Sequence, residues 1–186
     1  MKSKKINYFK PQIKEKKLSL ELFFNKYNPG GLVDLEGGIL LAGKTADGSS
    51  CFTGDMKILM ADKIYKKISR VNIGDTILSY DISKHKVIKN KIIKIKKHDN
   101  KDPIMIINKI LKVTPRHHLF VKDKIFKLVK EIKVGDKLLD SKERFREVFS
   151  IKKLMSKEKV YNLILKSDHQ TYFVEDYLVI SGYIPL

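Results

Sequence analysis

From Cys51 onward, short runs of Ile, Val and Leu are interrupted by turn formers: Gly74-Asp75, Asp99-Asn100-Lys101-Asp102-Pro103, Gly135-Asp136 and Ser167-Asp168-His169. Runs this short, bounded this way, predict β-strands of about 4 to 8 residues and a mainly β unit. Over Val87–Lys97 lysines alternate with Ile and Val, so one face of that strand should be solvated. The chain upstream reads differently. Lys5–Tyr27 is basic, then apolar at Leu18, Leu20, Leu22, Phe23 and Phe24, and predicts a short helix ending before Asn28-Pro29-Gly30-Gly31. Gly31–Ser50, rich in glycine and small residues, reads as an extended lead-in.

The β region repeats itself. Asp62-Lys63-Ile64-Tyr65 overlays Asp123-Lys124-Ile125-Phe126, and the same offset of 61 residues carries Val71-Asn72-Ile73-Gly74-Asp75 onto Ile132-Lys133-Val134-Gly135-Asp136. Fainter echoes pair Ile93–Lys97 with Phe149–Lys153 and His117–Val121 with Thr171–Val174. Two halves that cannot each bury a face are expected to pair about a pseudo-two-fold axis.

With 186 residues and 42% apolar content, the chain suits one globular unit with a core and an appendage. No apolar run approaches the ~18 residues of a membrane span, and the lysine-rich start does not read as a signal peptide. Cys51 is the only cysteine, which excludes an internal disulfide, argues against structural zinc and fits a reducing, cytoplasmic setting. The net charge of +18 would allow a nucleic-acid partner through counterion release. The lysines are spread along the whole chain, however, and a solvated basic surface is the simpler reading. Gly38-Ile39-Leu40-Leu41-Ala42-Gly43-Lys44-Thr45 has phosphate-loop spacing, but its four intervening positions are all apolar and read better as an extended strand.

Candidate chemistry centres on two clusters, Cys51-Phe52-Thr53-Gly54-Asp55 and Thr114-Pro115-Arg116-His117-His118. A lone thiol with a histidine elsewhere in the chain is a candidate nucleophile, because thiolate attacks carbonyl carbon and imidazole carries a proton near neutral pH. Each residue alone has a plainer reading: free cysteine is among the most buried residue types, and most histidines pack or face solvent.

The clusters belong to three ordered blocks. The first is Cys51–Asp55 with Lys57-Ile58-Leu59 and Ile73-Gly74-Asp75. The second is Leu111–Val121, with its Thr-Pro-x-His core. The third runs from Val160-Tyr161-Asn162-Leu163 through His169 and Phe173-Val174 to Tyr177-Leu178-Val179. Together they resemble the Hint domain of inteins, bacterial intein-like domains and hedgehog autoprocessing domains, over Cys51 to about Tyr183. The resemblance implies a pseudo-symmetric β horseshoe of about a dozen short strands over residues 51–186, preceded by a flanking segment, residues 1–50, that serves as substrate. It implies an N-to-S acyl shift at Ser50-Cys51, a self-processing event that needs no metal or organic cofactor.

Moving an acyl group off a resonance-stabilised amide is uphill without help. The resemblance gives that help to His117, at the leaving nitrogen, and to Thr114, which holds the distorted amide. His118 stands where the family usually has an apolar residue and reads as structural. By the same resemblance His169 assists later steps, and Asp99 could act as base for an incoming nucleophile. Asn162 takes the place of an aspartate that couples the steps, but an amide cannot change charge. The last block reads Val179-Ile180-Ser181-Gly182 where inteins carry His-Asn, and Ser181 has no amide to cyclise. Expected output is therefore N-terminal cleavage or transfer, with water, a thiol, an amine or an alcohol resolving the thioester. The alternatives are an unreactive Hint-like scaffold that binds nucleic acid or protein, and a splicing element with an atypical end.

Overall fold

The computed structural model describes residues 50–181 apart from Asp123 and Asp168. The helix expected over Lys5–Tyr27, the lead-in and the phosphate-loop-like run Gly38–Thr45 lie outside the described residues. Fifteen strands follow one another: β1 (Phe52–Thr53), β2 (Lys57–Leu59), β3 (Tyr65–Lys67), β4 (Thr76–Asp81), β5 (Lys86–Asp99), β6 (Pro103–Ile107), β7 (Leu111–Val113), β8 (His118–Val121), β9 (Lys124–Leu128), β10 (Lys137–Leu139), β11 (Phe145–Glu147), β12 (Ile151–Met155), β13 (Lys159–Leu165), β14 (Thr171–Val174) and β15 (Tyr177–Ile180). The Hint resemblance implies about a dozen. The excess comes from strands of two or three residues, β1, β2 and β3 among them, too short to show an alternation of their own. At the other extreme, β5 has 14 residues, longer than the predicted range.

The pairings are antiparallel. One sheet runs β12-β6-β7-β1-β13-β5-β4, and the other β11-β10-β8-β15-β14-β2-β3, with β9 also on β8. β5 is long because it serves two neighbours: Lys86–Lys91 lie along β4, and Ile92–Asp99 along β13. On β5 only Asn90 and Ile92 are buried, so the lysine alternation does mark a solvated face. Phe52, Ile58, Val113, Leu119, Tyr172 and Val179 join in one core cluster. Each such side chain contributes about 1.5–3 kcal/mol through removal from water.

The 61-residue repeat is structural down to single hydrogen bonds. The 3-10 turn Ile68–Arg70 recurs as Val129–Glu131. Gly74 (φ +96°) and Gly135 (φ +93°) occupy the same left-handed turn position, which a residue with a Cβ adopts only under strain. Their N–H groups donate to Ile92 and Val148 carbonyls, both at 2.8 Å. The following aspartates accept equivalent bonds, Asp75 from the Asn72 N–H at 2.9 Å and Asp136 from the Lys133 N–H at 2.8 Å. Both are also ion-paired, Asp75 to Lys66 and Asp136 to Lys127. Phe52 and Val113, the repeat partners at the centre, face each other across β1 and β7, so the pseudo-two-fold axis passes between them. Among the described residues no helix is long and apolar enough to cross a membrane.

Candidate functional site

The axis places the two clusters side by side. Cys51 enters β1 directly before Phe52, and Thr114 leaves β7 directly after Val113, so the β1–β7 pairing sets them opposite one another. The Thr114 hydroxyl accepts the Cys51 N–H at 2.8 Å and lies 3.2 Å from the Cys51 carbonyl oxygen, to which it donates. The Thr114 N–H donates to the same carbonyl at 2.9 Å. One side chain thus holds both backbone groups of the residue that carries the thiol. Immediately upstream, the Ser50 hydroxyl donates to the Arg116 carbonyl at 3.1 Å, which ties the acyl side of the Ser50-Cys51 bond to the same loop.

His117 follows from the repeat. The loop Thr114-Pro115-Arg116-His117 is the second copy of Thr53-Gly54-Asp55-Met56. The Met56 N–H donates to the Thr53 carbonyl at 3.1 Å, and the His117 N–H to the Thr114 carbonyl at 3.2 Å. The Met56 carbonyl accepts from Ile68 at 2.7 Å, and the His117 carbonyl from Val129 at 2.8 Å. Met56 is an ordinary core residue whose sulfur receives the Lys112 N–H at 3.1 Å. The 61-residue offset carries Lys112 back to Cys51 and Met56 forward to His117, so this contact maps onto the Cys51 nitrogen and the His117 side chain.

His117 therefore stands in a core slot. It is fully buried, and its ring packs edge-on against Phe52 with centroids 4.2 Å apart. Among the described residues neither ring nitrogen has a hydrogen-bond partner. Burial, then the neighbouring His118, pushes the imidazole down to about 3; the Ser50 backbone pulls the other way without forming an aligned hydrogen bond. The resting ring is neutral at physiological pH. His118, largely shielded from water, is pushed down to about 4 by burial.

Cys51 is 1% exposed and lies in a small apolar cluster with Ile104 and Val160. Burial pushes its thiol up to about 12, and Lys96 acts against this. Its sulfur lies 4.0 Å from the Nδ1 of His98, a residue the motif blocks do not single out. Asp99 is exposed and pairs across the ladder with Lys159. Successive side chains on a strand point to opposite faces, so the His98 that faces the sulfur turns Asp99 away from it.

Asn162 is buried and accepts the Tyr172 O–H at 2.7 Å and the Leu163 N–H at 2.8 Å. Burial, then Cys51, pushes the Tyr172 hydroxyl up, so the group bonded to Asn162 lies within electrostatic reach of the thiol. His169 lies elsewhere: its Nε2 is 3.7 Å from the Asp81 carboxylate, and its carbonyl accepts from Asn90 at 2.9 Å. No contact among the described residues joins it to Cys51, Thr114 or His117. Ser181 is fully buried and its N–H donates to the Gln170 carbonyl, beside His169, at 2.6 Å. The structure thus gathers Cys51, Thr114 and His117 into one cluster, with Asn162 behind it and with Ser181 at the register position that follows the Ile180–His118 pair, beside His117; His169 lies apart, against Asp81. Among the described residues, no group of three or more His, Cys, Asp or Glu could hold a metal ion.

Comparison with known proteins supplies the context. A family model described as the pretoxin HINT domain matches residues 58–181. The solution structure of a bacterial intein-like domain from Clostridium thermocellum is similar at a TM-score of 0.64 and 25% identity, covering 71% of this chain and 98% of that one. A DnaB intein from Synechocystis matches at 0.63 and 17%, over 73% of this chain and 100% of its own. An intein from a hyperthermophile matches at 0.58 and 14%, over 71% and 99%. No curated protein matches the sequence.

Proposed function

The chain belongs to the pretoxin HINT domain family, and from that premise we propose that it processes itself once, at the Ser50-Cys51 bond. The Cys51 sulfur attacks the Ser50 carbonyl carbon, the carbon–nitrogen bond breaks, and a thioester replaces the amide. Water, a thiol, an amine or an alcohol then takes the acyl group and releases residues 1–50. The observation that carries this reading is the Thr114 hydroxyl bonded to both the N–H and the carbonyl of Cys51. Such a clamp fixes the leaving nitrogen while sulfur and carbonyl carbon approach.

His117 is neutral at rest because burial disfavours its charged form, which a counter-charge would favour. Negative charge that develops on the Ser50 oxygen supplies one, so the ring gains a proton as the tetrahedral intermediate forms and passes it to the leaving nitrogen. At the downstream end a serine hydroxyl at position 181 cannot cyclise as an asparagine amide does, so no release by that route is proposed there. The neighbours named as inteins are consistent with self-processing chemistry.

The solvated lysine face of β5 favours one second reading, a basic module that binds nucleic acid without reacting. Intact-mass spectrometry with and without dithiothreitol separates the two. Self-processing yields a fragment beginning at Cys51, increased by thiol and abolished in Cys51→Ala. A chain that stays intact under thiol and binds DNA in a salt-sensitive way favours the module.

A further inference from the structure

The acyl shift needs a base for its thiol, and His117, sealed in the core with a strongly depressed basicity, is poorly placed to be that base. Deepening the acyl-shift reading, on which it rests, we infer that His98 takes the proton from the Cys51 sulfur. The pleat puts it there. On β13 Val160 faces Thr53 of β1 on one side and His98 of β5 on the other. Residues opposite each other in a ladder share a face, and so do residues two apart on a strand. Thr53, Val160 and His98 therefore share a face; Cys51, two residues before Thr53, and Lys96, two before His98, join them. The result is the 4.0 Å separation between Sγ and Nδ1, and a lysine whose charge favours the thiolate.

His98 is half-buried, so it reaches both the enclosed sulfur and solvent. That access is what a base needs if it is to take up and lose a proton. Among the described residues, the other titratable groups that couple to this sulfur are Lys96 on β5 and Tyr172 on β14. From β6 the neighbours are apolar, Ile104 and Ile106. Lys112 on β7 is held by Asp55 at 2.6 Å.

The step balances without a co-reactant. The Sγ–H proton passes to Nδ1 of His98, and the sulfur electron pair forms the bond to the Ser50 carbonyl carbon. When the carbon–nitrogen bond breaks, the Cys51 nitrogen gains one proton from His117, which has drawn its own from solvent, and His98 returns the thiol proton to solvent. The net change is one amide exchanged for one thioester and an amine.

The test uses the full chain, saturating dithiothreitol and intact-mass time courses from pH 6 to 9.5. Wild type, Cys51→Ala, His98→Gln and His98→Ala are compared, the last with and without imidazole, after circular dichroism has shown that each is folded. At pH 7 both His98 variants are expected to cleave at least about 100-fold more slowly, within the range general bases contribute. Their deficit should shrink about tenfold per pH unit as hydroxide replaces the base, and imidazole should accelerate His98→Ala. Variants with wild-type rates and pH profile, beside an inert Cys51→Ala, overturn the role of His98 and leave the acyl shift standing. Equal slowing at every pH with no imidazole rescue overturns it in favour of a purely structural role. Absence of any Cys51-dependent fragment from the wild type overturns the acyl shift itself and this inference with it.

Discussion

The Thr114 hydroxyl bridges the two backbone groups of Cys51, accepting its N–H at 2.8 Å and donating to its carbonyl at 3.2 Å. Both ends of the bridge are buried, so removing the hydroxyl takes away the acceptor that the Cys51 N–H uses. Thr114→Val keeps the shape and should cost about 1–3 kcal/mol of stability. It should also slow thiol-induced cleavage by about 100-fold or more, as loss of a positioned polar group at an acyl-transfer site does. Thr114→Ser keeps the hydroxyl and should lie much closer to wild type in both respects. Urea midpoints and fragment formation read the two effects separately. A Thr114→Val chain that cleaves at the wild-type rate would remove the clamp from the mechanism.

His117 and Met56 fill equivalent slots of the two halves, and only the histidine leaves ring nitrogens unbonded there. His117→Met, which copies the first half into the second, should therefore stabilise the fold at pH 7 by about 1–2 kcal/mol while abolishing cleavage. The pH dependence follows in sign. An unfolded histidine titrates near 6.5, whereas the native ring is pushed down to about 3, so the unfolded chain binds the extra proton between those values. Wild-type stability should be full above pH 6.5 and fall as pH drops toward 3, by on the order of a few kcal/mol. His118, pushed down to about 4, adds loss of the same sign over a narrower range. His117→Met should keep only the His118 share. Urea unfolding at pH 7.5, 6, 5 and 4 checks this, and parallel curves for wild type and variant would refute it.

Much of this was legible in the chain. The 61-residue offset shows in Asp62–Tyr65 and in the two Gly-Asp turns, and the ordered blocks around Cys51 and Thr114-Pro115-Arg116-His117 resemble one domain family. Laying Thr53-Gly54-Asp55-Met56 over Thr114-Pro115-Arg116-His117 at the same offset would also have exposed His117 as a residue in a core position. His98 was not legible. Its place beside the sulfur depends on β13 lying between β1 and β5 in one register, a tertiary fact that no local pattern encodes. His169, which its block position assigns to the later steps, contacts Asp81 and Asn90 at the far edge of the same sheet, a placement that likewise depends on strand register.

The two Gly-Asp turns allow a test of the repeat itself. Gly74 and Gly135 share a left-handed φ, but their surroundings differ slightly: a Cβ at 74 would meet the Lys91 Cε at 3.9 Å, and one at 135 would meet nothing within 4 Å. Neither site clashes, so alanine at either should lose stability through backbone strain alone, about 1–2 kcal/mol. Asparagine tolerates left-handed φ better, and should recover part of that loss at both positions. If the halves are equivalent, Gly74→Ala and Gly135→Ala should shift the urea midpoint by nearly the same amount, with asparagine intermediate in each. A large loss at 135 but not at 74 would mean that the second turn is under a constraint the first lacks. Because Gly135 donates its N–H to the Val148 carbonyl in the half that carries His117, strain there should also be compared with the cleavage rate. An unchanged rate in Gly135→Ala, despite lower stability, is expected if the turn supports the fold without positioning the site.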